Sequence, residues 1–402
     1  MRASGCCILW LTLCLYLKRG AFSQSLKPPG FEAVEEIFVI GDLHADIHCA
    51  KQWVSRTNLL DVQSWSWRAE TSALVFLGDY VDRGPSGKQV LEFVRNLTVS
   101  FPRNVLAMMG NHDLYTLADA LLPSGATRFM GAAVKDFAYA FLHPEEYLNW
   151  IPELEAQAED LESLLPSLFA ALQNVYAQNY EAEVMLQAGR RSQTIFDWPP
   201  LRFNSTMSAL LRQRLKKWQS WALEGLVTSG LAEWLAARPV AAVLAGVLFV
   251  HGGLPSALTL RQIQQLGPGA VVNVDEFFSS GRKELLEMVH EVVTYRGFHG
   301  RRGCREVDQA LHLLKDDDVQ MIVVGHTAGK TVRQMCGDRL VAADSSLSRF
   351  YRSYGNRYCP VQVATERHGT CSRKLSPCAG QAARIHKGRV TLVSLENVNE
   401  EL

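Results

Sequence analysis

The chain has 402 residues, of which 48% are hydrophobic and 20% charged, with 41 basic side chains against 41 acidic ones. This is the composition of a globular protein and excludes a disordered or fibrous chain, and the length allows one α/β unit carrying a large insertion. A net charge of zero gives no general pull toward nucleic acid or an anionic membrane, so a nucleic-acid partner is not expected and any anion recognition must be local.

In chain order, the N-terminal stretch "MRASGCCILWLTLCLYLKRGAFSQ" comes first, with one early Arg, an apolar core over residues 6–17, then Lys18 and Arg19. It reads as a secretory signal peptide over residues 1–23, cleaved after Ser23, which places the mature chain in the secretory pathway. The apolar core is shorter than the roughly twenty residues that span a bilayer. The longest later apolar run, residues 239–250, is also too short, so no transmembrane domain is expected after cleavage.

Five short apolar segments follow, each ending in a polar motif: "EIFVI" before "GDLHAD", "ALVFL" before "GDYVDRG", "NVLAMM" before "GNHD", "GVLFV" before "HGGL", and "MIVV" before "GHTAG". Continuous runs of four to six large apolar residues ending in Gly predict strands buried on both faces. Their C-terminal ends are where open α/β sheets place ligands. Between the third and fourth motifs lies a long interval of different texture. There, "PEEYLNWIPELEAQAEDLESLLPSLFAALQNVYAQ" and "STMSALLRQRLKKWQSWALEGLVTSGLAEWLAAR" place apolar residues at three- and four-residue intervals, predicting amphipathic helices. Residues 114–240 thus form a helical insertion or cap between two halves of a catalytic domain, 36–113 and 241–348. Its Trp150, Trp198, Trp218, Trp221 and Trp234 are read as packing residues. Residues 349–402 form a Cys-containing C-terminal extension ending in the strand "RVTLVSL".

Three of the nine cysteines lie in the leader (Cys6, Cys7, Cys14), and six lie beyond it (Cys49, Cys304, Cys336, Cys359, Cys371, Cys378). An even six in a secreted chain permits disulfides without fixing their pairing. The spacing does not make two CxxC pairs, which argues against a zinc knuckle. Asn96 and Asn204 head sequons that a secreted chain could have glycosylated.

Asp and His are ligands for hard and borderline divalent metals, and two metals about 3.5–4 Å apart need a bridging carboxylate and ligands from several strands. Asp42 and His44 lie two apart, and in an extended strand end they would face one side and grip one ion together. Asp79 opens the next motif as the bridge. Asn111, His251 and His326 complete a second ion with neutral ligands. Cys49, several residues past its motif, is read as packing on the first helix and not as a nucleophile.

The order "GDLH", "GDYVDRG", "GNHD", "HGG", "GHT" resembles the calcineurin-like metallophosphoesterase superfamily, and "GDYVDRG" resembles its phosphoprotein phosphatase branch. The long insertion before "HGGL" and the late "TYRGF" are most similar to the bacterial-type Shewanella-like protein phosphatases. The resemblance covers residues 36–348 and implies a four-layer αββα sandwich with a helical insertion. It implies the same six metal ligands, Asp42, His44, Asp79, Asn111, His251 and His326, around two divalent ions, Mn, Fe or Zn. It further implies His112 as the general acid, Asp82 as the carboxylate orienting it, and Arg83 and Arg296 as phosphate clamps, with Arg301, Arg302 and Arg305 as a neighbouring basic loop. The implied reaction is direct attack of a metal-bridging hydroxide on phosphorus, and the implied partner is a phosphorylated protein or small phosphoester. Ala45 and Ala328 depart from the patterns of other members, the latter giving the first metal the smaller, phosphatase-type ligand set. "ADSSLSRFYRSYGN" lacks the late motif of the eukaryotic serine/threonine enzymes, and with it any ground for their toxin sensitivity. Two alternatives stand beside this: a dinucleoside polyphosphatase-type phosphoanhydride hydrolase, and a catalytically silent adaptor. Oligomeric state is not readable.

Overall fold

In the computed structural model, the residues described are 26–61, 64–121, 128–129, 132–133, 143, 146, 149–151, 209–267, 270, 283–352 and 377–395. The leader, most of the first amphipathic stretch of the insertion, Trp198, Asn204, Cys359 and Cys371 lie outside them.

Ten strands make two five-stranded sheets. The first takes β1 (Glu36–Ile40), β2 (Ser72–Phe76), β3 (Val105–Ala107), β9 (Gln381–His386) and β10 (Arg389–Ser394) in the order β10-β9-β1-β2-β3. The second takes β4 (Ala241–Leu244), β5 (Val247–Val250), β6 (Met321–Val324), β7 (Arg333–Met335) and β8 (Leu340–Ala342) in the order β7-β8-β6-β5-β4. Three neighbouring strands of each are parallel: β1, β2 and β3 in one, β5, β6 and β8 in the other. Two short two-stranded ribbons (Leu60–Asp61 with Ser66–Trp67, and Arg128–Phe129 with Ala132–Ala133) lie outside these sheets. The α-helices among the described residues are α1 (Ile47–Thr57), α2 (Gly87–Ser100), α3 (Asn111–Leu121), α4 (Ala209–Thr228), α5 (Leu231–Ala236), α6 (Leu260–Gln264), α7 (Lys283–Thr294), α8 (Gly303–Leu313) and α9 (Arg349–Arg352).

Strand alternation explains the layering, because successive side chains point to opposite faces. Ile37, Val39, Ala73, Val75 and Leu106 of the first sheet meet Ala242, Leu244, Val247, Phe249, Val323 and Val341 of the second in one buried cluster. The alternate residues, among them Phe38, Ile40, Leu74, Phe76, Leu248, Val250, Ile322 and Val324, pack with apolar faces of α1, α2, α7 and α8. Helices therefore cover both outer faces of two stacked sheets, which is the expected αββα order. Each fully buried Ile, Leu, Val or Phe contributes about 1.5–3 kcal/mol relative to exposure. Such double-sided burial is why the strands read as unbroken apolar runs.

The apolar run at residues 239–250 proves to be two strands. Ala245 and Gly246, both at positive φ (45° and 76°), make the two-residue turn that pairs β4 with β5 antiparallel. Lys387 and Gly388 do the same between β9 and β10, and β9 pairs with β1 from Glu36↔His386 to Val39↔Ala383. The C-terminal extension thus adds an edge hairpin to the first sheet, of which the sequence reading found only the second strand. Among the described residues two disulfides fasten the frame: Cys49–Cys378 joins α1 to the approach to β9, and Cys304–Cys336 joins α8 to the turn after β7. Cys49 therefore does pack on the first helix, as a bonded half-cystine. In the insertion, Trp218 and Trp234 are buried and Trp150 and Trp221 partly so, in keeping with packing roles.

Candidate dinuclear metal centre

The parallel strands of both sheets end at one edge, and their loops carry the polar motifs there. Asp42 and His44 follow β1, Asp79, Asp82 and Arg83 follow β2, Asn111 and His112 open α3 behind β3, His251 follows β5 and His326 follows β6. All are buried except His326, which is partly so. Glycine is required where these loops touch. A Cβ on Gly78 would lie 2.4 Å from Gly110 N, and one on Gly325 would lie 2.5 Å from Asp42 Oδ1. Five site residues adopt positive φ: His44 (40°), Asp79 (53°), Asp82 (68°), Arg83 (69°) and His326 (61°). Such backbone costs of order 1–3 kcal/mol per residue and persists where the surroundings over-determine it. It also changes how Asp42 and His44 come together: a left-handed turn at His44, in place of an extended strand end, presents both to one point.

The expected ligands gather into two groups sharing Asp79. Donor atoms of Asp42, His44 and Asp79 all lie within 4.8 Å of one another, as do those of Asp79, His251 and His326. Asp79 Oδ2 is 3.8 Å from His44 Nε2 and 3.3 Å from His251 Nε2, and Asn111 Oδ1 is 3.1 Å from the same His251 nitrogen. Each of these imidazoles is fixed from behind. His251 Nδ1 donates to Leu77 O at 2.8 Å and His44 Nδ1 to Val81 O at 3.3 Å, which leaves both Nε2 atoms facing the shared carboxylate. His326 is held through its backbone N–H, which donates to Asp42 Oδ2 at 3.1 Å.

Electrostatics fit the same picture. Burial, reinforced by Asp344, raises the Asp42 carboxyl well above its ordinary range. Burial would raise Asp79 too, but His251 and His112 outweigh it and hold that carboxyl well below the usual value. Burial alone would depress His251, yet Asp79 and Asp42 push it up to about 10. His44 is lowered by burial and then by Arg83, and His326 by burial and then by Arg296.

Beside this centre, His112 Nδ1 lies 2.6 Å from Asp82 Oδ2, and its backbone N–H donates to Asp79 Oδ1 at 2.9 Å. Arg83 sends Nη2 to His112 Nε2 at 3.0 Å and Nη1 to His44 Nε2 at 3.3 Å. Arg296 sits at the rim, exposed, with Nη1 donating to His326 O and Thr327 Oγ1 at 3.1 and 3.2 Å. All ten residues singled out in the sequence therefore converge on one edge of the sandwich.

A model of the calcineurin-like phosphoesterases matches residues 36–330, which is most of the chain. The chain belongs to this family. Shewanella-like protein phosphatase 2 of Arabidopsis thaliana is 31% identical over 107 residues, 26% of this chain and 27% of that protein. The symmetrical bis(5'-nucleosyl)-tetraphosphatase of Pectobacterium atrosepticum is 36% identical over 81 residues, 20% of this chain and 25% of that protein. The chain thus spans only about a quarter of the length of these curated relatives. Among solved structures, the cold-active protein-tyrosine phosphatase of a psychrophilic Shewanella matches with a TM-score of 0.48 at 16% identity, covering 92% of this chain and 83% of that one.

Calcineurin-like phosphoesterases work with two divalent metal ions. The donor set here fits such a pair: two buried carboxylates, Asp42 and Asp79, share a pocket with imidazole nitrogens aimed at them, and buried like charges call for a cation. Sequence reasoning missed several residues of this calcineurin-like phosphoesterase that build the pocket. Asp113, the last letter of "GNHD", accepts the N–H groups of Asp79, Tyr80 and Gly110 at 2.8, 2.9 and 2.9 Å, and burial pushes its carboxyl up to about 7. Asp46 caps α1 and takes Arg349 through Nε at 2.9 Å and Nη2 at 2.8 Å. That ion pair seats α9, whose Tyr351 ring stacks on His44 (5.1 Å, 6° between planes) and lies 4.7 Å under the Arg83 guanidinium. Asp113 and Asp46 could have been found as acids at a helix start. Tyr351 comes from a segment without periodicity, and no local signal marks it.

Proposed function

We propose that this chain is a dinuclear-metal phosphatase that hydrolyses phosphomonoesters, with phosphoprotein, on Ser/Thr or Tyr, as its substrate class. The observation that carries the reading is the His112–Asp82 pair: a buried imidazole held at 2.6 Å by a carboxylate, one residue from the ligand Asn111. Asp42, His44 and Asp79 would hold one ion and Asp79, Asn111, His251 and His326 the other. Bound metals of this kind, Mn, Fe or Zn, polarise phosphoryl oxygens and bring the pKa of bound water toward neutrality. Arg83, whose two Nη atoms donate to His44 and His112, turns those donors onto two phosphoryl oxygens, and Arg296 meets the phosphate from the rim. Once Arg83 has turned to the phosphate, His112 Nε2 takes a proton from solvent and donates it to the leaving alkoxide, while Asp82 keeps Nδ1 oriented and supports the imidazolium.

The insertion at 114–240 sets substrate choice in this reading, as segments added to a rigid scaffold commonly do. A secretory location is supported by the N-terminal sequence and by two disulfides among the described residues. Among the described residues, no helix is long and apolar enough to cross a membrane. Hydrolysis of p-nitrophenyl phosphate with Mn²⁺ tests the proposal. His112→Asn should lower kcat by about 10²–10⁴-fold, and Asp79→Asn should abolish turnover with loss of metal. Undiminished hydrolysis by both variants contradicts it. Release of nucleoside diphosphate from a dinucleoside tetraphosphate, with no action on phosphopeptides, would move the assignment to the phosphoanhydride class.

A further inference from the structure

The turn that carries Asp82 and Arg83 runs directly into α2, and its geometry is held from two sides. On the inside, Ser86 N donates to Ala45 O at 3.0 Å, and Gly84 is packed so closely that a Cβ there would lie 2.6 Å from Ala45 O. The outside is held by the insertion. Ser86 stands at the N-cap of α2 yet makes no side-chain capping bond. Buried Glu146 replaces it: Oε2 accepts Gly87 N at 2.6 Å and Oε1 accepts Lys88 N at 2.8 Å. The carboxylate thereby satisfies two of the orphan donors at a helix start, where the dipole also favours negative charge.

Other bonds of the same short stretch converge on this turn. Asn149 Nδ2 donates to Pro85 O at 2.8 Å, and Gln89 Nε2 donates to Asn149 Oδ1 at 3.0 Å. Trp150 Nε1 donates to Glu146 Oε1 at 2.9 Å, and its ring packs against Gly225 of α4, where a Cβ would lie 2.5 Å from Trp150 Cε3. His143, whose carbonyl accepts Glu146 N, places its ring 5.6 Å from that of Phe350, the neighbour of Tyr351. Both supports of the Arg83 guanidinium, its own turn and the Tyr351 shelf, therefore meet His143, Glu146, Asn149 or Trp150 of the insertion.

We infer that Glu146 is a positioning residue for phosphate binding, an N-cap supplied to α2 by the insertion that holds the strained Asp82–Arg83 turn in its phosphate-facing conformation. The inference rests on the phosphatase reading above for the identity of the ligand. It couples the insertion to the chemistry through one carboxylate: whatever moves Glu146 moves the phosphate arginine.

The test uses the full, metal-reconstituted chain carrying Glu146→Ala, Glu146→Gln or Asn149→Ala. Glu146→Ala should raise both KM for p-nitrophenyl phosphate and the inhibition constant of inorganic phosphate on the order of tenfold, with metal content unchanged. Glu146→Gln, which retains the shape and one acceptor, should show a smaller rise. In an Arg83→Ala background the Glu146→Ala change should cost nothing further, since it acts through that arginine. Amide exchange at Gly87 and Lys88 should speed up in Glu146→Ala. Should the alanine variant fail to fold, the glutamine and Asn149 variants carry the same readouts. KM and phosphate inhibition within twofold of wild type in all three, or an undiminished tenfold loss in the Arg83→Ala background, would overturn the inference. A wild-type chain without turnover would overturn the phosphatase reading instead. The clamp would then be decided by amide exchange, with unchanged rates at Gly87 and Lys88 counting against it.

Discussion

Gly110→Ala adds one methyl group against the Asp79 carboxylate. A Cβ on Gly110 lies 2.2 Å from Asp79 Oδ1, 2.3 Å from Asp79 N and 3.0 Å from Asp79 Cγ, where ordinary contact begins at 3.4 Å. The carboxylate and its backbone must retreat by about 1 Å, several times the roughly 0.2 Å within which metal–ligand distances hold. The same shift breaks the 2.9 Å bond from His112 N to Asp79 Oδ1, so the acid is displaced along with the bridge. A misplacement of that size costs about 10²-fold in rate, and the overpacking itself about 1–3 kcal/mol of stability. Metal content by mass spectrometry, kcat/KM on a phosphomonoester and a thermal melt read the three effects separately. Gly230→Ala is the control for packing: at φ 71° it strains the backbone and lowers the melt by about 1 kcal/mol, but nothing lies within 4 Å of a Cβ there, so metal content and kcat/KM should stay at wild type. A folded Gly110→Ala protein with two metals and near wild-type kcat/KM would refute the packing argument.

Further outcomes follow from individual contacts. Asp79→Asn and Asp82→Asn should fail differently: the first loses metal, while the second keeps it and loses about 10²–10⁴-fold in kcat, read by metal analysis beside steady-state rates. Tyr351→Ala removes the ring beneath Arg83 and should raise KM about 3- to 10-fold at unchanged metal content, with Tyr351→Phe near wild type. His143 is buried and held neutral, its pKa lowered to about 3 by burial, so the unfolded chain takes up a proton that the folded one refuses. Its stability contribution is fully present above pH 6.5 and is lost as pH falls, by about 1.4 kcal/mol per pH unit, so urea titrations of wild type and His143→Asn should converge toward acid. Cys378→Ser opens the Cys49–Cys378 link across 329 residues of sequence and should cost about 2–5 kcal/mol by denaturant titration.

The ligand motifs were legible because each is a short polar string at the end of an apolar run, where chemistry and strand termination coincide. Asp42, His44, Asp79, Asn111, His251 and His326 come from five loops, yet every loop announces itself locally. The layering was legible for a related reason: strands buried on both faces need unbroken apolar runs, as in "ALVFL" and "MIVV". What stayed hidden depends on distant partners. β9 reads "QAARIH", with little apolar pattern, and is a strand because β1 offers it an edge. Arg349 reaches Asp46 across the chain, and Glu146 caps a helix that starts 59 residues earlier. The pairing of Cys49 with Cys378 has the same character, since six free-standing cysteines allow many combinations.

That Asp79 joins two metal sites can be tested by counting the metal ions held per folded chain. Reconstituted wild type should hold two divalent ions, His44→Ala and His251→Ala about one each, and Asp79→Asn fewer than either, with phosphomonoester hydrolysis lost in step. A wild-type chain that hydrolyses phosphomonoesters while holding no metal, or an Asp79→Asn chain that retains both ions, would contradict it.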